Sequence, residues 1–285
     1  MSFTVDISLH KNKNIEDNSL SFKIEGNYEN GLSKSIINSL RRTLLTDIPT
    51  LAFRTDDSCK KDIIMCVNNT ALHNEFLSHR VSLIPLYLDP TKCEKRYLFR
   101  LVEKHDSNEI YKFITTDNFE VYPLNKELED RYEAMNDEYE LDSEEYKLEK
   151  SKLDSILETI SLDNYDLTKP LSQKKKKEIF RPFSFRGKEY GSLITELKNT
   201  NDPTKFQEIH LYGSPSLSTA KEHSRWQAVS CSTYSFAKDD EYFKQVLNEK
   251  IQLNDIPPDQ QDDYSRDLYL SESERYYYRD KNNEP

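Results

Sequence analysis

A chain that mixes β-strands with helices is predicted by two observations: alternating segments that feed a helix near the N-terminus, and a later cluster of strand candidates. Residues 3–10, FTVDISLH, place Phe3, Val5, Ile7 and Leu9 on one face, the pattern of a half-buried strand. Residues 20–28, LSFKIEGNY, alternate again through Leu20, Phe22 and Ile24, and the polar KNKNIEDNS joins the two as a turn. The next stretch, NGLSKSIINSLRRTLLTDIP (30–49), reads as a helix entered through Asn30 and Gly31. Leu32, Ile36, Leu40, Leu44 and Ile48 recur every four residues, and Ile37 widens the stripe. Pro49 disfavours helical geometry at Ile48 and ends it. The polar face carries Ser33, Lys34, Asn38, Arg41 and Arg42. Adjacent residues lie about 100° apart around a helix, so Arg41 and Arg42 point to two surfaces. Taken alone, this is an amphipathic core helix with solvated arginines.

After Pro49, TLAFRT and DIIMCV (62–67) are strand candidates. Asn69 or Thr70 is expected to cap a helix presenting Leu72, Phe76 and Leu77, with His79 and Arg80 on its last turn, where positive charge suits the dipole. Residues 82–88 leave as an extended segment around Pro85. Strand candidates follow at 97–103, 110–116 and 119–124. From about Asn125 the sequence is dense in Glu, Asp and Lys and reads as a charged, solvated insertion to about 178. Within it, Leu128, Tyr132 and Met135 have helical spacing, residues 154–169 hold apolar positions able to pack back, and LSQKKKKEIF reads as a solvated lysine loop. GSLITELKN is a helix or strand edge, Phe206, Ile209 and Leu211 suggest a strand, and GSPSLST is a loop. AVSCSTYSF (228–236) alternates as a strand. Beyond Asp239 the chain turns polar and acidic and reads as a tail or partner-wrapping segment.

Bulk composition narrows the function classes. Of 285 residues, 35% are apolar and 32% charged, so part of the length is expected to be solvated. A net charge of −11 argues against general nucleic-acid binding, which needs a basic surface. Cys59, Cys66, Cys93 and Cys231 lack zinc-finger spacing and are expected to be reduced and mostly buried. No signal peptide and no run long enough to span a membrane is present, so no membrane association is expected. The histidines make no metal-ligand spacing, and the five glycines are isolated, so no phosphate loop exists. Glu222 beside His223 has no nucleophile next to it. A non-catalytic interaction protein follows, without metal or cofactor. The competing readings are an enzyme using a cysteine or Glu222–His223, and an adaptor or nucleic-acid-binding module centred on the lysine run.

Three stretches together resemble one family. The first, NGLSKSIINSLRRTLLTDIPTLAF, is similar to the first signature of alpha/D-type subunits of multisubunit DNA-dependent RNA polymerase, through Asn38, Leu40, Arg41, Arg42, Leu44, Leu45, Ile48 and Pro49. The second, NNTALHNEFLSHRVSLIPL, resembles the next signature through Asn74, Glu75, Phe76, Leu77, His79, Arg80, Leu83, Ile84 and Pro85. The third, TAKEHSRWQAVS, resembles the loop that follows the inserted domain in eukaryotic and archaeal members, and brings in Glu222, His223 and Trp226.

The resemblance implies an α+β fold with a discontinuous alpha-like dimerisation domain, here 1–54 and 222–285, and an inserted, mainly β domain, 55–221. The strand–strand–helix reading of 3–48 fits this independently. It also implies a non-catalytic assembly subunit. Such a subunit heterodimerises with a smaller alpha-like subunit through the opening helix and docks the second-largest, catalytic subunit. Small zinc-binding subunits would be further partners, and DNA would be reached only through the complex. The implied interface comprises Ile36, Asn38, Leu40, Arg41, Arg42, Leu44, Glu75, His79, Arg80, Glu222, His223 and Trp226. Eukaryotic members often carry a zinc-binding cysteine cluster after LIPL; here only Cys93 stands in that window, so no metal is expected. The family closes with a strand and a long helix, whereas the wording from Asp239 to Pro285 shows none; an early stop or a separately supplied last part is expected. Asn-, Lys- and Asp-rich wording suggests a divergent member, eukaryotic or from a large DNA virus. The implied location is intracellular: the nucleus, or the cytoplasm or virion if viral.

Overall fold

The computed structural model describes residues 4–8, 21–25, 33–55, 61–106, 109–138, 143–199, 206–236, 239–272 and 276–277. Asn30, Gly31, Leu32 and Cys59 lie outside them. In chain order the elements are β1 (Thr4–Ser8), β2 (Ser21–Glu25), α1 (Lys34–Thr46), β3 (Thr50–Ala52), β4 (Ile63–Asn68) and α2 (Asn74–Ser82). Then come β5 (Tyr97–Lys104), β6 (Tyr111–Thr115), β7 (Glu120–Pro123), α3 (Lys126–Glu138), α4 (Glu144–Leu157) and α5 (Gln173–Phe180). The chain continues through β8 (Phe183–Phe185), β9 (Lys188–Tyr190), β10 (Leu193–Lys198), β11 (Glu208–Gly213), β12 (Ser216–Ser218), α6 (Asp240–Leu253) and α7 (Gln261–Glu272). Every strand pair among the described residues is antiparallel, compatible with the α+β class expected from sequence.

Two compact units share the chain: residues 1–43 with 231–285, and residues 44–230. The first holds the β1–β2 hairpin, in register from Thr4↔Glu25 to Ser8↔Ser21, and the two C-terminal helices. The polar tail expected beyond Asp239 is instead a helical hairpin. Asp239 caps α6 by accepting from the Tyr242 N–H, and the Asp239 N–H donates to the Tyr276 carbonyl at 2.7 Å. Phe243, Leu268 and Tyr276 form its small core, with Phe243 and Tyr276 rings edge-on at 4.8 Å. Tyrosines carry the burial that few aliphatics can supply here, which is why a count of aliphatics misses it. The strand expected over 228–236 pairs with no strand among the described residues; Tyr234 packs on Phe236, and Phe236 on Tyr277.

The larger unit is organised on a four-stranded sheet in the order β4-β11-β5-β7. Alternation along β5 sends Phe99 and Leu101 to one face and Leu98 to the other. The first face packs against the β6–β10 pair, α2 and α5, burying Leu77, Ile114, Ile179, Phe180 and Ile194. The second face packs against α3 and α4 through Leu128, Tyr132, Met135, Tyr146, Leu153 and Leu157. The charged stretch read as solvated is therefore a second structural layer. Its apolar positions are few, but Leu128, Tyr132 and Met135 of α3 and Tyr146, Leu153 and Leu157 of α4 recur at helical spacing and turn to the sheet. Burial pushes the Tyr165 phenol, at the edge of this layer, up to about 12.

Several local readings change. Helix α2 begins at Asn74 with His73 as its cap and no side-chain capping bond; Asn69 and Thr70 do not cap it. Asn68 and Thr70 build the preceding turn: Asn68 Oδ1 accepts from the Thr70 N–H at 3.0 Å, while Asn68 Nδ2 donates to the Leu72 carbonyl at 2.8 Å. The lysine run is helix α5, capped by Ser172, not a loop. Lys176 is 7% exposed and donates to the Asp117 and Phe119 carbonyls, and burial lowers its pKa. GSPSLST contains β12, which pairs with β3 from Ser216↔Ala52 to Ser218↔Thr50. Cys66 and Cys231 are exposed and Cys93 half-buried, against the expectation of buried thiols. Cys66 occupies an outward position of an edge strand.

Gly213 closes β11 where β4 begins, and a Cβ built there would lie 2.5 Å from the Asp62 carbonyl oxygen. Backbone cannot yield that distance without moving a strand, so Gly213→Ala is expected to destabilise this unit by about 1–3 kcal/mol. Chemical denaturation followed by circular dichroism checks it; a midpoint equal to wild type would refute the close approach.

Candidate functional site

Helix α1 forms because Ile36, Ile37, Leu40, Leu44 and Leu45 recur at helical spacing, and the turn at Asp47–Ile48 ends it ahead of Pro49. None of its residues is buried: Ile36 is 50% exposed and Leu40 38%. Asn38 Oδ1 accepts two bonds from Arg41, from Nε at 3.1 Å and from Nη2 at 2.9 Å, which lays that guanidinium along the helix one turn back. Arg42 is exposed, and Leu44 is half-buried. Thus Ile36 and Leu40 of the stripe expected of a core helix lie at the surface, beside a pre-oriented arginine, while Ile37, Leu44 and Leu45 are half-buried.

The second group of site residues lies in the larger unit, on the loop from Thr219 to Gln227. Trp226 is 0% exposed and donates from Nε1 to the Ser216 carbonyl at 3.1 Å. Its own carbonyl accepts from Thr50 Oγ1 at 2.8 Å, so the ring is pinned over the β3–β12 pair. The ring is fully enclosed within its own unit. Guanidinium groups of Arg54 and Arg225 lie 5.3 and 5.4 Å from its ring. Arg225 is itself buried, donating to the Phe53 carbonyl at 3.0 Å and to Thr55 Oγ1 at 2.7 Å.

Glu222 and His223 make separate bonds. Arg54 pairs with Glu222 at 3.0 Å, and Ser218 Oγ donates to the same carboxylate. His223 Nδ1 accepts from the Arg225 N–H at 3.2 Å and from its Nε at 3.1 Å. Both groups therefore fix the loop rather than each other. Nearby, Lys221 reaches Asp47 at 2.7 Å, and that ammonium, helped by the Thr46 hydroxyl, holds Asp47 below the usual carboxylate value.

The last turn of α2 meets this loop. His79 stands edge-on to His223, with ring centroids 6.4 Å apart. Arg80 points elsewhere and donates to the Leu193 carbonyl at 3.2 Å. Glu75 is exposed in the first turn of α2, where a carboxylate favours the dipole. So the fold brings together His79, Glu222, His223 and Trp226, and sends Arg80 to the start of β10. Of the α1 residues, Ile36, Asn38, Leu40, Arg41 and Arg42 belong to the other unit, and Leu44 is the first residue of this one.

Sequence reasoning missed the centre that holds this loop. Asp62, 3% exposed, pairs with Lys95 and accepts from the Arg54 N–H at 2.7 Å and from Ser216 Oγ. Lys95 also donates to the Ser214 carbonyl at 3.1 Å. Three other segments converge on one carboxylate. A lone Asp opening the apolar run IIMCV was its signal, since a charge beside a buried strand needs a partner. Among the described residues, no group of three or more His, Cys, Asp or Glu is placed to hold a metal ion. Burial raises the pKa of Cys93, the opposite of what a ligating or reactive thiol needs.

No protein-family model matches the chain. Curated proteins do resemble it. The DNA-directed RNA polymerase subunit Rpo3 of Pyrobaculum arsenaticum is 28% identical over an alignment of 115 residues, covering 34% of this chain and 41% of that protein. The DNA-directed RNA polymerases I and III subunit RPAC1 of Homo sapiens is 33% identical over 96 residues, 33% of this chain and 22% of the human one. Its counterpart in Dictyostelium discoideum is 36% identical over 63 residues. The chain is thus similar to alpha/D-type subunits of multisubunit RNA polymerase, as its three motifs indicate. The matched regions span less than half the length of these relatives.

Proposed function

We propose that this chain is a non-catalytic assembly subunit of a multisubunit DNA-dependent RNA polymerase. It pairs with a smaller alpha-like subunit through α1 and offers the exposed Glu75, His79 and Glu222 of its second group of site residues to the second-largest, catalytic subunit, with Trp226 holding their loop from within. Small zinc-binding subunits complete its surroundings, and DNA is reached only through the complex. In this reading 1–54 with 222–285 is the dimerisation domain and 55–221 the inserted one; the compact units, which divide the chain at 43/44 and 230/231, support it. The chain works inside the cell, in the nucleus, or in the cytoplasm or virion if viral. Among the described residues, no helix is long and apolar enough to cross a membrane.

One observation carries the reading: a signature helix of 13 residues leaves Ile36 and Leu40 of its apolar stripe exposed and buries none of the rest fully. Apolar helix faces are costly to leave in water, and a homologous partner helix is the natural cover. The lysine run, by contrast, offers little free charge for an independent nucleic-acid module, since Lys176 is buried and Lys177 pairs with Glu189.

The test is Ile36→Asp with Leu40→Asp. Both side chains are exposed, so the isolated chain is expected to stay within about 0.5 kcal/mol of wild type. Each aliphatic buried at an interface contributes about 1.5–3 kcal/mol, so affinity for the smaller subunit is expected to fall at least ~10-fold. Co-expression followed by native mass spectrometry reads the heterodimer. Full recovery of heterodimer with the double variant would sink the proposal.

A further inference from the structure

Strands β8 and β9 form a hairpin in which all six strand residues are exposed. Their register, Phe183↔Tyr190 and Phe185↔Lys188, places Phe183, Phe185, Lys188 and Tyr190 on one face. Ser184 and Glu189 take the other face, where Glu189 pairs with Lys177 of α5. The aromatic face is thus turned away from the rest of its own anchoring contact. Phe183 and Phe185 are 57% and 56% exposed, far more than a side chain serving its own core.

The backbone adds a second observation. Arg186 and Gly187 at the hairpin tip both have positive φ, 51° and 75°. Asparagine followed by glycine meets that demand at least cost. Arg181, closing α5 just before the hairpin, is also left-handed at φ 40°, a position where glycine is usual. Arginine stands at both ends of β8 although the backbone disfavours it, so the side chains account for its presence. Arg181, Arg186 and Lys188 fall within one short stretch of a chain of net charge −11. Among the described residues, Arg181, Arg186 and Lys188 form no ion pair; Arg181 lies 4.1 Å over Tyr87 and Arg186 5.2 Å from the Phe185 ring.

Helix α2 meets β10, the strand that follows this hairpin. Arg80 bonds the Leu193 carbonyl three residues after Tyr190, and Phe76, one turn before Arg80, is 69% exposed. We infer that the β8–β9 hairpin, with the outer face of α2, docks an acidic segment studded with apolar side chains, belonging to the second-largest polymerase subunit. The inference rests on the assembly-subunit reading and extends its docking surface. Exposed aromatics mixed with arginine are the composition of protein interfaces. A single nucleic-acid strand needs open ring faces for its bases, whereas Phe183 and Tyr190 stack on each other at 5.5 Å.

The discriminating variant is Arg186→Asn with Lys188→Gln. Asn-Gly suits the hairpin tip better, so a purely structural role predicts an unchanged or raised Tm and unchanged docking. The docking role predicts the same Tm with at least a 10-fold weaker Kd for the second-largest subunit, and a flatter salt dependence. Phe185→Ser is expected to weaken docking similarly. The experiment uses the full chain, co-expressed with the smaller alpha-like subunit and titrated against the second-largest subunit from the same source. Kd values within twofold of wild type overturn the hairpin's role and leave the assembly reading standing. Failure of the wild-type chain to bind overturns both. Binding of a single-stranded RNA oligonucleotide that the variant loses, with docking intact, assigns the surface to nucleic acid and overturns the proposal.

Discussion

Asp62→Ala is expected to destabilise the larger unit by about 3–5 kcal/mol, because it leaves a buried ammonium without its counter-charge. Lys95 would keep only the Ser214 carbonyl, while the Arg54 N–H and the Ser216 hydroxyl would each lose an acceptor. The two side chains of the pair are 14% and 5% exposed, so water cannot fully replace the carboxylate. Removing both charges should cost less than removing one. Asp62→Leu combined with Lys95→Met is therefore expected to be more stable than Asp62→Ala, a comparison that separates the charge from the geometry. Urea unfolding reads both variants. A loss below about 1 kcal/mol for Asp62→Ala would show that the carboxylate is not the centre of this network.

Trp226→Ala is expected to cost about 3–5 kcal/mol, as for other fully buried aromatic rings. Three losses combine: the ring's burial, the bond to the Ser216 carbonyl, and the cation–π contacts of Arg54 and Arg225. Trp226→Phe retains most of the volume but orphans that carbonyl, and is expected to lose about half as much. The chain has one tryptophan, so its fluorescence reports unfolding of this unit in wild type, and circular dichroism serves for the variants. If Trp226→Ala unfolds at the wild-type urea concentration, the loop from Thr219 to Gln227 is not held by its ring.

Elements with strict periodicity were readable from residue order alone. Strands β4, β5, β6, β7 and β11 and helices α1 and α2 stand within a few residues of their expected places, because alternation and helical spacing report which face is buried. Helices α3 and α4 were half-legible: Leu128, Tyr132 and Met135 had the right spacing, but the surrounding charge masked the sheet they cover. The C-terminal helices were missed because their core is aromatic. A strand over 228–236 was expected from alternation, yet alternation cannot supply the neighbour that a strand needs to satisfy its amides. The site divides in the same way. Its signature residues were visible as motifs, whereas Asp62, Lys95, Arg54 and Arg225 act across long sequence separations. Nothing local marks a lysine as the partner of a carboxylate 33 residues earlier.

The strand order β4-β11-β5-β7 also has a temporal meaning. During synthesis β4 and β5 leave the ribosome long before β11, which must lie between them. At about 5–20 residues per second, the roughly 100 residues from β5 to β11 take about 5–20 s. Throughout that interval β4 lacks its only partner in the sheet, and β5 lacks one of its two. The newborn chain therefore passes through a stage with open hydrogen-bonding edges in an apolar sheet, the state in which chaperones bind and neighbouring chains pair wrongly. Yield in the cell should depend on how fast residues 105–208 are made, even though none of the finished protein's contacts record that history.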